Sequence, residues 1–332
     1  RLLFEGSSQL QRTFRKLETS GKPWVAAING VAMGGAFELC LACHARVISD
    51  SPKARVGLPE VKVGLFPGAG GTQRVPRLIG AQEALQMLLQ GKSYDGAKAK
   101  RLGLVHQVVP HAELIDAARK LVVDGLKPVQ PWDEKGFKQP GGPVYSAAGA
   151  QLFPAANALY RKETYDNYPG ARAILKCVYE GLLLPMDAAL RVESRYFSHV
   201  LTTTEAGMMI RSLFLSMQAL NKGARRPAGA PQTSIGKVGI LGGGGFMGAG
   251  IGYVTAKAGI KVILLDRDEE AAAKGKVHAS DIETKAIGRG HSTPEARDRL
   301  LSLIETTTDY ATLAECDLVI EAVFEDSSVK KG

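Results

Sequence analysis

The most constraining stretch of this 332-residue chain lies near its end. Lys237-Val238-Gly239-Ile240-Leu241 has strand character, and GGGGFMG (242–248) follows at once. A helical stretch then runs through Ala258 to a stop at Gly259, and a second apolar strand, Ile260 to Leu265, ends in Asp266. Strand, glycine loop, helix, strand and acidic residue, in that order, specify a parallel βαβ unit that seats a pyrophosphate at the positive end of its helix. Gly243, Gly245 and Gly248 fit the three glycine positions. The first permits a tight turn, the second lets the backbone approach the phosphates, and the third lets the helix pack closely on the strand. Gly242 makes the run one residue longer, so a register shifted by one is the competing reading. No Lys-Ser or Lys-Thr follows, which excludes a P-loop. Asp266 is placed to bond ribose hydroxyls and repel a 2′-phosphate, which favours NAD over NADP; neighbouring Arg267 pulls the other way.

A second stretch, Pro23 to Thr72, carries paired glycines at 34–35 and again in PGAGGT (67–72), with a carboxylate beside each, Glu38 and Glu60. Val25 to Ile28 reads as a strand and Asn29-Gly30 as a turn. GGAFELCLACHARVI (34–48) is apolar nearly all round, so it reads as a buried helix over about 35–45. The glycines at its start leave a backbone N–H beside the positive end of a helix dipole, a place suited to an oxyanion. Glu38 falls about one turn in, where packing does not explain a carboxylate. Two carboxylates near one anion-stabilising amide outline a proton-transfer site. The bland alternatives are a helix-start residue satisfied by the dipole for Glu38 and a solvated loop carboxylate for Glu60.

Composition narrows the class. Hydrophobic residues make up 45% and charged residues 23%, as in an ordinary globular chain large enough for about two domains, and no apolar run would span a bilayer. The net charge of +9 alone would point to nucleic acid, but basic runs are short and aromatics are 6%, so no nucleic-acid partner is expected. Phosphate-bearing ligands account for part of the excess. The four cysteines read as reduced thiols of a cytoplasmic protein. Cys40 to His44 matches the CxxCH haem pattern, yet no second CxxC exists, so buried small hydrophobes are the better reading and no metal is expected. The first and last residues lack terminal signatures, and the chain reads as an internal stretch of a longer product.

Taken in order, Ser8 to Glu18 is an amphipathic helix. Short strands (47–49, 54–57 and 104–109) then alternate with helices at Gly70, 82–89, 95–102 and 112–123, which specifies an α/β domain. Residues 126–144 are an irregular connector. Helices follow at 149–160, 170–184, 186–201 and 205–220, and NKGARRPAGAPQTS (221–234) is the clearest linker. Lys274 to Gly288 is helical, and Thr293-Pro294-Glu295 caps another helix. Lys62 and Arg74 read as surface charges rather than ligands. His44, His106 and His111 have no partner pattern and read as structural.

INGVAMGGAFEL (28–39), GLPEVKVGLFPGAGGTQR (57–74) and GKSYDGAKAKRLGLVHQVV (91–109) resemble the crotonase, or enoyl-CoA hydratase, superfamily. The order of parts resembles fusions of such a hydratase to a 3-hydroxyacyl-CoA dehydrogenase. The resemblance implies an α/β architecture: a crotonase-like (ββα-type) domain at 1–125, a helical connector at 126–234 that braces the catalytic parts, and the first part of a Rossmann NAD-binding domain at 235–332. It implies that the Gly35 N–H binds the thioester oxygen, that Glu60 is the principal acid/base, that Glu38 holds the water, and that Gly68 supplies an amide near it. Gly243, Gly245, Gly248 and Asp266 would bind NAD, with Glu325 and Lys330 as further contacts. Acyl-CoA thioesters would be the substrates, bringing coenzyme A with them, and a thiolase the partner subunit. In the family the second oxyanion donor lies upstream of Arg1, and the dehydrogenase His–Glu pair lies beyond the last residue here. The competing activities are Δ3–Δ2-enoyl-CoA isomerisation, which can use one glutamate, and non-catalytic acyl-CoA or NAD binding.

Overall fold

The computed structural model describes residues 1–230, 234–327 and 330, so residues 231–233 of the expected linker lie outside it. The chain divides into two compact units, 1–225 and 226–332.

In the first unit α1 (Leu2–Glu18) leads to β1 (Val25–Ile28), β2 (Val31–Met33) and α2 (Gly35–Ala42). Then come β3 (Ala45–Ser49), β4 (Arg55–Gly57), a 3₁₀ turn at Glu60–Val63, α3 (Gly71–Ile79) and α4 (Ala81–Gln90). β5 (Ser93–Asp95), α5 (Gly96–Leu102), β6 (Gln107–Val109) and α6 (Leu114–Val123) complete the part expected to be α/β. Among the described residues β1, β3 and β6 form one parallel sheet with β3 in the middle. β2 and β4 pair in parallel, with β5 antiparallel on β4. All five residues of β3 are buried, as a central parallel strand requires. Four helices follow: α7 (Ala147–Thr164), α8 (Pro169–Gly181), α9 (Met186–Leu201) and α10 (Thr204–Met209). The stretch expected as one helix over 205–220 is broken, because a π-helical segment at Ile210–Ser216 separates α10 from α11 (Met217–Asn221). Fully buried Phe37, Leu41, Ile48, Phe66, Met87 and Ile174 join these elements in one core, each side chain contributing about 2–3 kcal/mol by burial.

The apolar run at 34–48 is not one helix. α2 stops at Ala42 and the chain turns within two residues into β3. The cause is Arg46, a fully buried side chain on β3. Its guanidinium donates to the carbonyls of Cys43 at 2.7 Å and of Cys40 and Leu41 at 3.4 and 3.5 Å, and its Nε donates to Leu104 O at 2.7 Å. A cation thus satisfies the carbonyls left open at the helix end. His44 is structural, as expected: Nδ1 accepts from Trp24 N at 3.0 Å and Nε2 lies 3.0 Å from Glu18 O.

The second unit begins with β7 (Lys237–Leu241), α12 (Phe246–Lys257), β8 (Lys261–Leu265) and α13 (Glu269–Gly288). α14 (Pro294–Ser302), β9 (Ile304–Thr307) and β10 (Leu318–Glu321) follow. The sheet is parallel throughout in the order β10-β7-β8-β9, with a core built from Val238, Ile240, Val262, Leu264, Ala279 and Ile304. Thr293 caps α14 through its side chain, as its sequence context specifies.

Candidate active site

α2 carries the first carboxylate. Gly34 caps the helix with φ 60°, a left-handed value that glycine adopts without strain, and Gly34 O receives the amides of Phe37 and Glu38. Glu38 is therefore in the first turn, where the dipole favours its anion. Its Oε1 accepts the Ala69 amide at 2.8 Å and the Gly71 amide at 2.7 Å, and the Gly68 amide also acts on the carboxylate. Burial pushes the Glu38 carboxyl up; the Gly71 and Ala69 amides and then the Arg74 charge pull it back. Gly35 is exposed, and its N–H, free of the helix ladder, donates to none of the described residues.

Glu60 opens the 3₁₀ turn behind Pro59. Its carboxylate comes close to the cap of α2, since a Cβ on Gly34 would stand 3.2 Å from Glu60 Oε1. Glu60 Oε2 is buried and has no hydrogen-bond partner among the described residues. Its carboxyl is pushed up to about 8, first by burial and then by the charge of Glu38, with Glu193 adding to it. The two carboxylates singled out in the sequence are thus brought to one helix start and one loop.

The loop 67–72 is the other wall. The Ala69 and Gly71 amides bond Glu38 and the Gly68 amide adds to their pull on its carboxyl, while the Gly68 carbonyl accepts from Ser7 Oγ and Gln11 Nε2, both at 3.1 Å. A Cβ at Gly71 would sit 2.9 Å from Glu38 Oε1 and one at Gly68 would sit 2.7 Å from the Phe197 ring, so both positions are closed to larger residues. Arg74 is not a surface charge. It is fully buried, with Nε on Glu18 Oε1 at 2.7 Å and Nη1 on Ala69 O at 2.7 Å.

A third carboxylate is present that the sequence reading missed. Glu193 of α9 has no exposed surface. Its Oε1 accepts from Gly70 N at 2.6 Å and Gln11 Nε2 at 2.9 Å; its Oε2 accepts from Thr72 N at 3.0 Å and from the Thr72 hydroxyl. Burial, then the charge of Glu38, raises its carboxyl, against the pull of the Thr72 and Gly70 donors. A signal was available: Met186, Ala189, Leu190 and Val200 mark the buried stripe of α9, and position 193 falls inside it at helical spacing.

In the second unit the loop 242–245 joins β7 to α12. The positive φ of the tight turn falls on Gly242, at 77°, and the Gly242 and Gly243 amides both donate to Leu265 O. The extra glycine thus carries the turn, one residue before the position expected. Gly243 lies against Leu264, where a Cβ would be 2.6 Å from the Leu264 Cβ. Gly245 is the N-cap of α12, and a Cβ there would meet nothing nearer than 3.2 Å. Gly248 packs on the loop, where a Cβ would be 2.1 Å from Gly242 O. Asp266 Oδ2 accepts the Gly244 amide at 2.9 Å, so the acidic residue is tied to the glycine loop. A Cβ on Gly242 would press on Ala322 O at 2.7 Å, so the chain leaving β10 borders the turn. Glu325 and Lys330 pair with each other at 2.8 Å, and Lys330 also reaches Glu321.

No helix of the described residues is long and apolar enough to cross a membrane. Residues 5–128 match the enoyl-CoA hydratase/isomerase family, and residues 237–332 match the NAD binding domain of 3-hydroxyacyl-CoA dehydrogenase. The fatty acid oxidation complex subunit alpha of Shewanella halifaxensis (strain HAW-EB4) is 39% identical over 325 residues, which is 98% of this chain and 45% of that protein. Its counterpart in Shewanella amazonensis (strain ATCC BAA-1098 / SB2B) is 39% identical over 332 residues, 98% of this chain and 46% of that protein. The chain therefore spans just under half the length of these relatives. The crystal structure of an enoyl-CoA hydratase from Bacillus anthracis is 26% identical with a TM-score of 0.34, over 66% of this chain and 67% of that one. The chain belongs to the family of fatty acid oxidation complex α subunits, joining an enoyl-CoA hydratase/isomerase domain to the NAD-binding domain of a 3-hydroxyacyl-CoA dehydrogenase.

Proposed function

We propose that the protein to which this chain belongs hydrates 2-trans-enoyl-CoA to 3-hydroxyacyl-CoA and oxidises that product with NAD, within fatty acid β-oxidation. The observation that carries the first step is the placing of Glu38 and Glu60 around the start of α2, with the Gly35 N–H free beside them. Hydration needs a polarised thioester carbonyl, an oriented water and a proton for the α-carbon. The Gly35 N–H, at the positive end of α2, donates a hydrogen bond to the thioester oxygen as negative charge develops on it. Glu38 Oε1 is held by two amides, which leaves Oε2 to orient the water and take its proton. Glu60, poorly solvated and raised toward neutrality, is suited to deliver a proton to the α-carbon and to remove it in reverse. The domain boundaries we favour are 1–125 for the hydratase part, 126–234 for the connector and 235–332 for the NAD-binding part.

In the second unit the turn at Gly242–Gly245 and the twelve-residue helix behind it fit a pyrophosphate. Gly243, Gly245 and Gly248 keep side chains out of its path, and Asp266 is the group for the ribose hydroxyls. Glu325 and Lys330 would lie along the nicotinamide side. Bound NAD would supply the hydride acceptor. We further propose a cytoplasmic setting and a thiolase partner that consumes the ketoacyl product.

The test is hydration of a short 2-trans-enoyl-CoA by the complete gene product beside its Glu60→Gln variant. A general acid/base contribution is about 10²–10⁴-fold, and a loss of that size is expected. Robust hydration that ignores Glu60→Gln would sink the assignment. Turnover that survives Glu38→Ala but only shifts the double bond would indicate an isomerase.

A further inference from the structure

We infer that Glu193 is a positioning residue for the proposed hydration site, holding the 69–72 loop so that its amides can grip Glu38. The inference rests on the reading of Glu38 as the water-binding carboxylate.

Four successive amides of the loop are shared between two carboxylates. Those of Ala69 and Gly71 go to Glu38 Oε1, and those of Gly70 and Thr72 go to Glu193, one to each oxygen. In this loop the amides alternate between two carboxylates, so gripping Glu38 with those of Ala69 and Gly71 leaves those of Gly70 and Thr72 in need of another acceptor. A buried amide without one costs about 1–3 kcal/mol. Glu193 is that acceptor, and it is itself held: Gln11 Nε2 bridges it to Gly68 O, and Ser194 Oγ donates to Gln11 Oε1 at 2.7 Å. Arg74 closes the loop from another direction through Ala69 O. A Cβ at Gly70 would lie 1.8 Å from Arg74 Nη1, so a side chain there and the seated Arg74 exclude each other. Glu193 lies more than a hundred residues from the loop along the chain, and its bonds run to the loop and Gln11 rather than toward Gly35. It acts on the reaction through Glu38.

Replacing Glu193 by Gln keeps its size but puts an amide group against a cluster of donors. At least one of the Gly70, Thr72 and Gln11 groups then loses its acceptor. The complete gene product and its Glu193→Gln variant are compared in two ways. Amide exchange is read residue by residue across 66–75, and kcat and KM are measured with a short 2-trans-enoyl-CoA. Exchange is expected to quicken at Ala69 and Gly71 as well as at Gly70 and Thr72. The kcat is expected to fall about 10- to 100-fold through misplacement of Glu38, with KM within about threefold. Glu193→Asp, which keeps two acceptor oxygens, is expected to lie between the two.

A folded Glu193→Gln protein with unchanged kcat would overturn the inference. So would quicker exchange confined to Gly70 and Thr72. If that variant does not fold, Thr72→Val removes the hydroxyl that donates to Glu193 and accepts from Gln73 Nε2, and keeps the four backbone amides: a loss of kcat of about threefold or more at constant KM supports the inference, and no loss refutes it. Absence of hydration in the unaltered protein would defeat the proposed function, while the exchange at Ala69 and Gly71 would still decide whether Glu193 sets the loop.

Discussion

At about pH 8.5 the Glu60→Gln form of this chain is expected to be more stable than the unaltered chain by about 2–4 kcal/mol, and at about pH 5 the two should agree within about 1 kcal/mol. Folding makes the Glu60 carboxyl harder to ionise. Glu60 rises from an ordinary 4.5 to about 8, first through burial, then through the charges of Glu38 and Glu193, and its Oε2 has no partner among the described residues. Between those values the native state binds the proton that the unfolded chain releases. Stability from this group is therefore complete below about pH 4.5 and is lost as pH rises through about 8. At about 1.4 kcal/mol per pKa unit the rise sets a ceiling of roughly 5 kcal/mol. Three carboxylates share the same field and Glu60 keeps some contact with water, so about half of that ceiling is expected. Gln copies the protonated form and removes the slope. Urea unfolding of both forms at the two pH values measures the difference. Parallel loss of stability in both forms, or a variant weaker at the higher pH, would refute the account. Confirmation would mean that the residue proposed for proton transfer is held at a cost to the fold.

Two further outcomes are specific. Glu18→Gln leaves the Arg74 guanidinium buried beside a neutral side chain, where both members of the pair have no exposed side-chain surface, and should lower stability by about 3–5 kcal/mol in denaturant; a change under about 1 kcal/mol would contradict the burial argument. Gly248→Ala forces a methyl group to within 2.1 Å of Gly242 O, a backbone atom that moves only with the whole turn. NAD affinity by calorimetry should fall at least about tenfold, and unaltered affinity would show that the turn does not hold the nucleotide.

What could be read in the sequence divides along physical lines. α9 runs over Met186–Leu201 as its periodicity indicates, and the βαβ unit follows from local punctuation, because strand, glycine and cap signals act over a few residues. The helix expected to reach about 45 ends at Ala42, a misplacement that arises because a helix buried all round and a central parallel strand share one apolar pattern. What ends α2 is a contact from Arg46 rather than a Gly or Pro signal. Glu38 and Glu60 stood out because a carboxylate at a helix start or behind a Pro is locally conspicuous. Glu193 did not, because Arg191 and Arg195 beside it make that turn look solvated, and its partners come from α1 and the 67–72 loop. Arg74 was misread for the same reason: its partner Glu18 is 56 residues away. Locally encoded features could be read, and buried charges matched across the fold could not.

Arg46 has a consequence for how such a chain can vary through descent. One guanidinium meets carbonyls of Cys40, Leu41 and Cys43 at the end of α2 and of Leu104 ahead of β6, while its own strand pairs with β1. A lysine offers a point charge where a planar fork is needed, so the usual conservative exchange is closed. An apolar residue there would require the helix end and the 104 turn to find new donors in the same step. Position 46 is thus expected to drift only together with the lengths of its neighbours: relatives that replace this arginine should also lengthen or shorten the two-residue passage from α2 to β3.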